Sequence, residues 1–238
     1  MRYKLLYFIF SLVIILPGLY FLVTGGLKFG IDFTGGAVLE YKVNSGQETV
    51  DSQSIRQIIS DQGIDVVSVS IKVDDLIIKT KPIEQDKINQ IKKSLSDKYG
   101  SVEERRIENV GPVIGDELKI KALEALGLAS LVIVLYITFT FRKVPRPASS
   151  VRFGICAVMA LIHDILLVIG VFAILGKFLG VEVDTLFVTA LLTIAGFSVH
   201  DTIVVFDRIR ENLLKNIGRK FSDVANISVV QTLGRSLN

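Results

Sequence analysis

Four apolar runs decide what this chain can fold into: Leu5 to Val23, about Ala125 to Phe141, about Phe153 to Leu175, and Thr185 to Phe206. A helix needs about 20 apolar residues to cross the hydrocarbon core. Lipid offers no partner to an exposed backbone, so such runs cross as helices. Half the 238 residues are hydrophobic (50%) and the mean hydropathy is +0.52, which also indicates a membrane protein. The charged residues crowd into 40–121 and into short loops, so one water-exposed domain interrupts the spans. Arg2 and Lys4 precede the first run, as in a secretory signal, but the run is long and no A-x-A-like site follows. It reads as a retained span, kinked at Pro17. The expected division is 1–27 for the first span, 28–120 for the external domain, 121–212 for spans two to four, and 213–238 for a cytoplasmic segment and the start of a truncated fifth helix.

Basic residues set the orientation. Arg2 and Lys4, then Arg142, Lys143, Arg146 and Arg152, then Arg208, Arg210, Lys215, Arg219 and Lys220 fall on alternate connections. Lys177 alone marks the other side. Both ends are expected in the cytoplasm and 28–120 outside. A net charge of +3 carries no nucleic-acid signal. The single cysteine, Cys156, excludes a disulfide framework and reads as a packing residue.

The external domain reads as α+β. Ala37–Val43 alternates like a strand. Asp51 or Ser52 caps a helix to about Gln62, with Ile55, Ile58 and Ile59 at helical spacing. Val66–Val73 and Leu76–Lys81 make a hairpin about Asp74 and Asp75. Pro82 and Glu84 open a second helix with Ile88, Ile91 and Leu95 on its buried stripe; Gly100 ends it. Val102–Val110 is the last strand. The order βαββαβ is the ferredoxin-like arrangement. Before it, Gly30 to Gly36 (GIDFTGG) reads as a turn. After it, Gly111-Pro112 breaks the strand and Gly115-Asp116-Glu117 opens a helix. No metal cluster, phosphate loop or nucleophile–base pair occurs, so the domain reads as a binding or structural module.

Polar groups inside the spans carry the functional argument. Asp201 lies about 9 Å from the near end of span four, and Asp164 about 18 Å into span three. A charge there costs roughly 2.5–3.5 kcal/mol on insertion scales, so each is a candidate site; the alternatives are snorkelling or a structural hydrogen bond. Ser198 is one turn from Asp201 on the same face. Ala195 and Gly196 permit close helix approach. His163 reads as a packed, hydrogen-bonded histidine. His200 points about 100° away from Asp201, so the two are not paired. Asp207, Arg208, Arg210 and Glu211 read as solvated anchors at the membrane edge.

Ala195 to Asn212, AGFSVHDTIVVFDRIREN, fills every position of a signature that resembles that of the SecF family, the smaller membrane subunit of SecD–SecF protein-export complexes. GIDFTGG, the stretch VGPVIGDEL (Val110 to Leu118) and TLGRSL (Thr232 to Leu237) are similar to further motifs of that family. The family often has Asn and Tyr where this chain has His200 and Phe197. The resemblance implies half of a resistance-nodulation-division-type transporter in the bacterial cytoplasmic membrane. It implies a non-enzymatic subunit without cofactor, working with a SecD-like partner, the SecYEG channel, YajC, the translocating polypeptide and membrane lipid. It implies that proton flow drives the external domains, with Asp201 and Arg235 facing a SecD carboxylate, and with Asp164, His163, Ser198 and His200 as relay or interface support. In the family TLGRSL opens a fifth span, with a sixth after it, so this sequence is expected to stop at the start of the fifth. Two other readings share the features: half of a small-molecule efflux pump, and an intramembrane aspartyl protease built on Asp164 and Asp201.

Overall fold

The structure is a computed structural model that describes residues 4–43, 51–72, 75–142, 149–215 and 218–236. Arg2, Asp74, Lys143 and Arg146, which enter the sequence reading, lie outside these. The chain divides into two compact units, Phe29–Lys121 and the combination of Met1–Lys28 with Ala122–Asn238.

In the first unit a single helical turn, α2 (Ile31–Thr34), leads into β1 (Gly36–Val43). Then come α3 (Ser52–Ser60), β2 (Val66–Lys72), β3 (Asp75–Thr80), α4 (Gln85–Tyr99) and β4 (Val102–Val110). The sheet order is β2-β3-β1-β4 and every pairing is antiparallel. Leu39, Tyr41, Leu76 and Ile78 on one face of the sheet pack with Ile55 and Ile59 of α3 and Ile88, Ile91 and Leu95 of α4. Full burial of such side chains is worth about 1.5–3 kcal/mol each. Asp51 caps α3, its Oδ2 accepting the Ser54 amide at 3.1 Å. That amide and its neighbour at Gln53 hold the Asp51 carboxyl below the usual carboxylate range. The Tyr41 hydroxyl is buried without a partner. Burial, and secondarily the charge of Glu104, pushes it up to about 12.

GIDFTGG differs from the expected simple turn. Ile31–Thr34 is helical, and Gly35 and Gly36 leave it at φ of 70° and 146°. A methyl group on Gly35 would lie 2.9 Å from Pro112 Cα, and one on Gly115 would lie 2.9 Å from the Gly35 nitrogen. The two glycine motifs, far apart in sequence, are thus one backbone-to-backbone contact. It also moves a boundary. Helix α5 runs Pro112–Thr140, beginning at Pro112 rather than Gly115, so Asp116 and Glu117 lie beyond its first turn. Proline suits a first helical position because its missing N–H has no partner there in any helix.

The second unit is helical. It holds α1 (Lys4–Gly25), α5 from Ala122 onward, α6 (Ser150–Leu179), α7 (Thr185–Lys215) and α8 (Phe221–Ser236). The helices α1, α5, α6 and α7 are each long and apolar enough to span a membrane. Their outer surfaces carry Leu, Ile, Val and Phe, as lipid contact requires. α1 runs parallel to α6. Ser11 meets His163 and Lys28 meets Gly180, both pairs 152 residues apart. Between them a methyl group on Gly18 would lie 2.5 Å from Gly170 Cα. In lipid, helices associate through such close approach, not through apolar burial. Phe141, just past the end of α5, Phe153 near the start of α6 and Phe206 within α7 meet, with ring centroids 4.6–5.8 Å apart.

Candidate functional site

The signature stretch forms the second half of α7, and its residues divide by face. Ala195, Val199, Ile209 and Leu213 are buried against α5, α6 and α8. Gly196, Phe197, His200, Asp201 and Asp207 are exposed, and Ser198 is half-buried. Asp201 makes no hydrogen bond or ion pair with any described residue, and neither do Ser198 or His200. Gly196 takes no part in a close helix contact among the described residues: nothing stands within 4 Å of where its side chain would begin. Further up the same face, Thr189 and Thr193 are exposed and return their hydroxyls to the carbonyls of Thr185 and Thr189, at 3.1 and 2.8 Å. Thr189, Thr193, Gly196 and His200 thus make a small, polar and uncovered strip, turned about 80–140° around the helix from Asp201.

Below Asp201 the helix continues past the expected end at Phe206. Side-chain pairs carry it on: Arg210 to Asp207 at 2.5 Å, Arg208 to Glu211 at 2.6 Å, and Lys215 to Glu211. Pairs at this spacing each stabilise a helix by about 0.2–0.5 kcal/mol. The residues read as solvated anchors are thus an ordered chain of alternating charge along α7. Beside them a recess of about 370 Å³ is lined by Thr140 and Phe141 of α5, Val204, Asp207 and Glu211 of α7, and Thr232 of α8.

The residue that sequence reasoning missed is Asn212. It is 6% exposed, and its amide donates to Ser228 Oγ at 2.9 Å and Gln231 Oε1 at 3.0 Å of α8. The available signal was the run of small polar positions Ser228 and Thr232, four apart. α8 begins at Phe221, well before TLGRSL, with Asp223 in its first turn. Because α8 returns antiparallel to α7 from the Asn212–Ser228 clasp, Arg235 stands level with Val205, seven residues on along each helix. Asp201 is four residues, or about 6 Å, further along. It also precedes Asn212 by eleven residues, three turns plus about 20°, so it sits on the α7 face that α8 follows. The side chain of Arg235 lies outside what is described; the backbone alone sets this juxtaposition.

Asp164 and His163 form a separate group. His163 Nδ1 is 2.8 Å from Asp164 Oδ1, and Nε2 meets Ser11 Oγ of α1. No contact between Asp164 and Asp201 occurs among the described residues. Of the two candidate carboxylates, Asp164 on α6 has partners among the described residues and Asp201 on α7 has none. No three His, Cys, Asp or Glu side chains gather to hold a metal among the described residues.

Comparison with known proteins places these features. Residues 90–238 match the family "Protein export membrane protein SecD/SecF, C-terminal", and residues 20–46 match the "SecD/SecF GG Motif". The chain is 44% identical to the protein translocase subunit SecF of Thermobaculum terrenum, covering 100% of this chain and 77% of that one. It is 39% identical to the SecF of Anaerolinea thermophila, covering 99% and 76%. In the crystal structure of SecDF, a translocon-associated membrane protein from Thermus thermophilus, 95% of this chain superposes with TM-score 0.76 at 27% identity; the chain spans 30% of that larger one. Motifs, fold and relatives agree, and the chain belongs to the SecD/SecF family of protein-export membrane proteins.

Proposed function

We infer that this chain is a SecF-type subunit of a protein translocase in the bacterial cytoplasmic membrane, acting without catalysis of its own. It works beside a SecD-like subunit and assists a SecYEG-type channel, with YajC as a further partner. Both ends of the described chain face the cytoplasm and the sheet domain faces outward. The parallel course of α1 and α6 supports that topology, since two spans so related must enter from one side.

Asp201 is the group that couples proton flow to the work. The observation that carries this is its place: unpartnered, on the face of α7 that α8 follows, with Arg235 about one turn away along the axis. A carboxylate that alternates between charged and neutral forms near a permanent cation changes the local electrostatic energy by several kcal/mol. That is enough to bias a two-state rocking motion. The small, uncovered face through Thr189, Thr193 and Gly196 suits close approach by a partner helix. The recess at Val204 and Asp207 supports a water route from Asp201 to the cytoplasmic side. Ser198 and His200 line the same region in supporting roles, and His163 with Asp164 supports the helix interface.

The test is precursor translocation into vesicles holding the assembled complex, with and without a proton gradient. Asp201→Asn keeps shape and assembly but cannot cycle its charge, so gradient stimulation should vanish. Stimulation of wild-type size in the Asn variant would leave Asp201 as a structural residue.

A further inference from the structure

At the opposite side of the α7–α8 pair lies a cavity of about 450 Å³ that the export reading does not use. Phe153 of α6, Phe206 and Ile209 of α7, and Phe221 and Ala225 of α8 make its walls. Its lining is almost wholly apolar, with a polar end formed by Ser149 and Arg152. The apolar span of α6 begins at Val151, so Arg152 stands where the hydrocarbon ends and the headgroups begin. Its guanidinium is exposed and makes no ion pair with any described residue. Arg219 and Lys220, both exposed, immediately precede Phe221. The nearest acid of α8, Asp223, is two residues from both Phe221 and Ala225, so the helix turns it to the other face.

An apolar slot within the membrane, with unneutralised cations at its mouth at headgroup depth, matches a molecule with an acyl tail and an anionic head. We propose that this cavity is a binding site for an anionic phospholipid. One acyl chain lies against Phe153, Phe206 and Ile209. The phosphate is held by Arg152 with the hydroxyl of Ser149, whose side chain does not cap the helix. A zwitterionic lipid has the same tail but brings its own cation to the mouth, so the site discriminates by charge. A guanidinium binds phosphate through paired donors, which a lysine cannot reproduce. The site also joins α8 to α6, since Phe221 and Ala225 line it together with Arg152 and Phe153. Occupancy would hold the start of α8, and through the Asn212–Ser228 clasp the helix that carries Arg235.

Cys156, the single cysteine of the chain, is exposed and forms part of the cavity lining. It is a built-in reporter. The intact chain is reconstituted into phosphatidylcholine vesicles with and without added phosphatidylglycerol, and the rate at which a maleimide modifies Cys156 is followed. Phosphatidylglycerol should slow modification of the wild type by about fivefold, the effect of one well-placed interfacial cation. Arg152→Gln should lose most of that slowing, keeping only the part that the charged vesicle surface gives both proteins. Both proteins feel the same vesicle surface potential, so the variant separates the site from the general effect of a charged membrane. Retention of phosphatidylglycerol by detergent-purified protein, read by native mass spectrometry, should fall in parallel. Equal rates in the two vesicle types would overturn the proposal and assign the cavity to another helix or to any acyl chain. So would an Arg152→Gln variant slowed by phosphatidylglycerol as much as the wild type. Protection by inorganic phosphate alone, in detergent, would reduce the site to an anion contact and overturn it as well.

Discussion

The α1–α6 interface and the outer face of α7 are both apolar helix surface with polar groups set into it, and they differ in closure. Between α1 and α6 every special group has its partner: Gly18 lies on Gly170, Ser11 meets His163, and His163 meets Asp164. On α7 the comparable groups, Gly196, His200 and Asp201, meet nothing among the described residues. A polar group satisfied within its own unit has its desolvation offset and contributes to holding two helices together. A polar group left open is available to further partners. The lesson is that two carboxylates of similar standing in the sequence stand in different settings. Asp164 belongs to a satisfied joint, and Asp201 to an open surface, the setting that the proposed relay role requires.

The sharpest break of this contrast is a paired substitution. Asp201→Asn should remove gradient-driven stimulation of export and leave detergent stability unchanged. Asp164→Asn should lower stability and leave most of the stimulation. If the two effects come out exchanged, the assignment of roles is reversed. Next in size is Gly18→Ala. A methyl group 2.5 Å from the Gly170 backbone forces α1 off α6. Such overpacking costs about 1–3 kcal/mol, visible as a lower melting temperature of the purified protein. Gly196→Ala, on the open face, should leave that temperature where it was and impair only assembly with the partner subunit. Ser11→Ala should cost about 0.6 kcal/mol, the average for an interhelical hydrogen bond in a membrane protein. His163→Leu removes both bonds and should cost more than Ser11→Ala alone.

A smaller effect separates the membrane helices from the water-exposed domain. Expressed alone, residues 29–121 should melt cooperatively, and residues 36–110, without the Gly35–Pro112–Gly115 contact, should melt lower. The carboxyls of Asp51 and Asp65 are held below their usual range, the first by backbone amides and the second by its hydrogen bond and ion pair with Lys81. Depressed values in the folded state mean that their stabilisation is present above about pH 4 and is lost as pH falls further. An acid melt that showed stability rising below pH 4 would contradict that sign. Tyr41→Phe removes a buried hydroxyl without a partner and should be neutral or stabilising by about 1 kcal/mol.

Much of this protein is written locally. Four apolar runs specify four long helices because hydrocarbon admits no other backbone. Alternation in Ala37–Val43 and the Ile stripes of α3 and α4 specify a sheet with helices on one face, because each period permits only one buried surface. The signature from Ala195 to Asn212 identified the family, and it placed the carboxylate on a helix. Boundaries were less legible. α5 begins at Pro112 because the helix start is packed on Gly35. α7 runs on to Lys215 because its ion pairs reward continuation.

What the tertiary structure alone decided is which groups meet. Nothing near Gly18 announces Gly170, and the alanine and glycine of the signature looked the better site for close approach. Nothing near Asn212 announces Ser228, yet that clasp sets the register bringing Arg235 level with Val205. Asp164 and Asp201 are alike in one dimension. They part because α1 passes beside one, whereas α8 ends about one turn short of the other. Periodicity reports which face of a helix is apolar, but partnership depends on the offset between helices, and that is a property of packed backbones which no local stretch of residues contains.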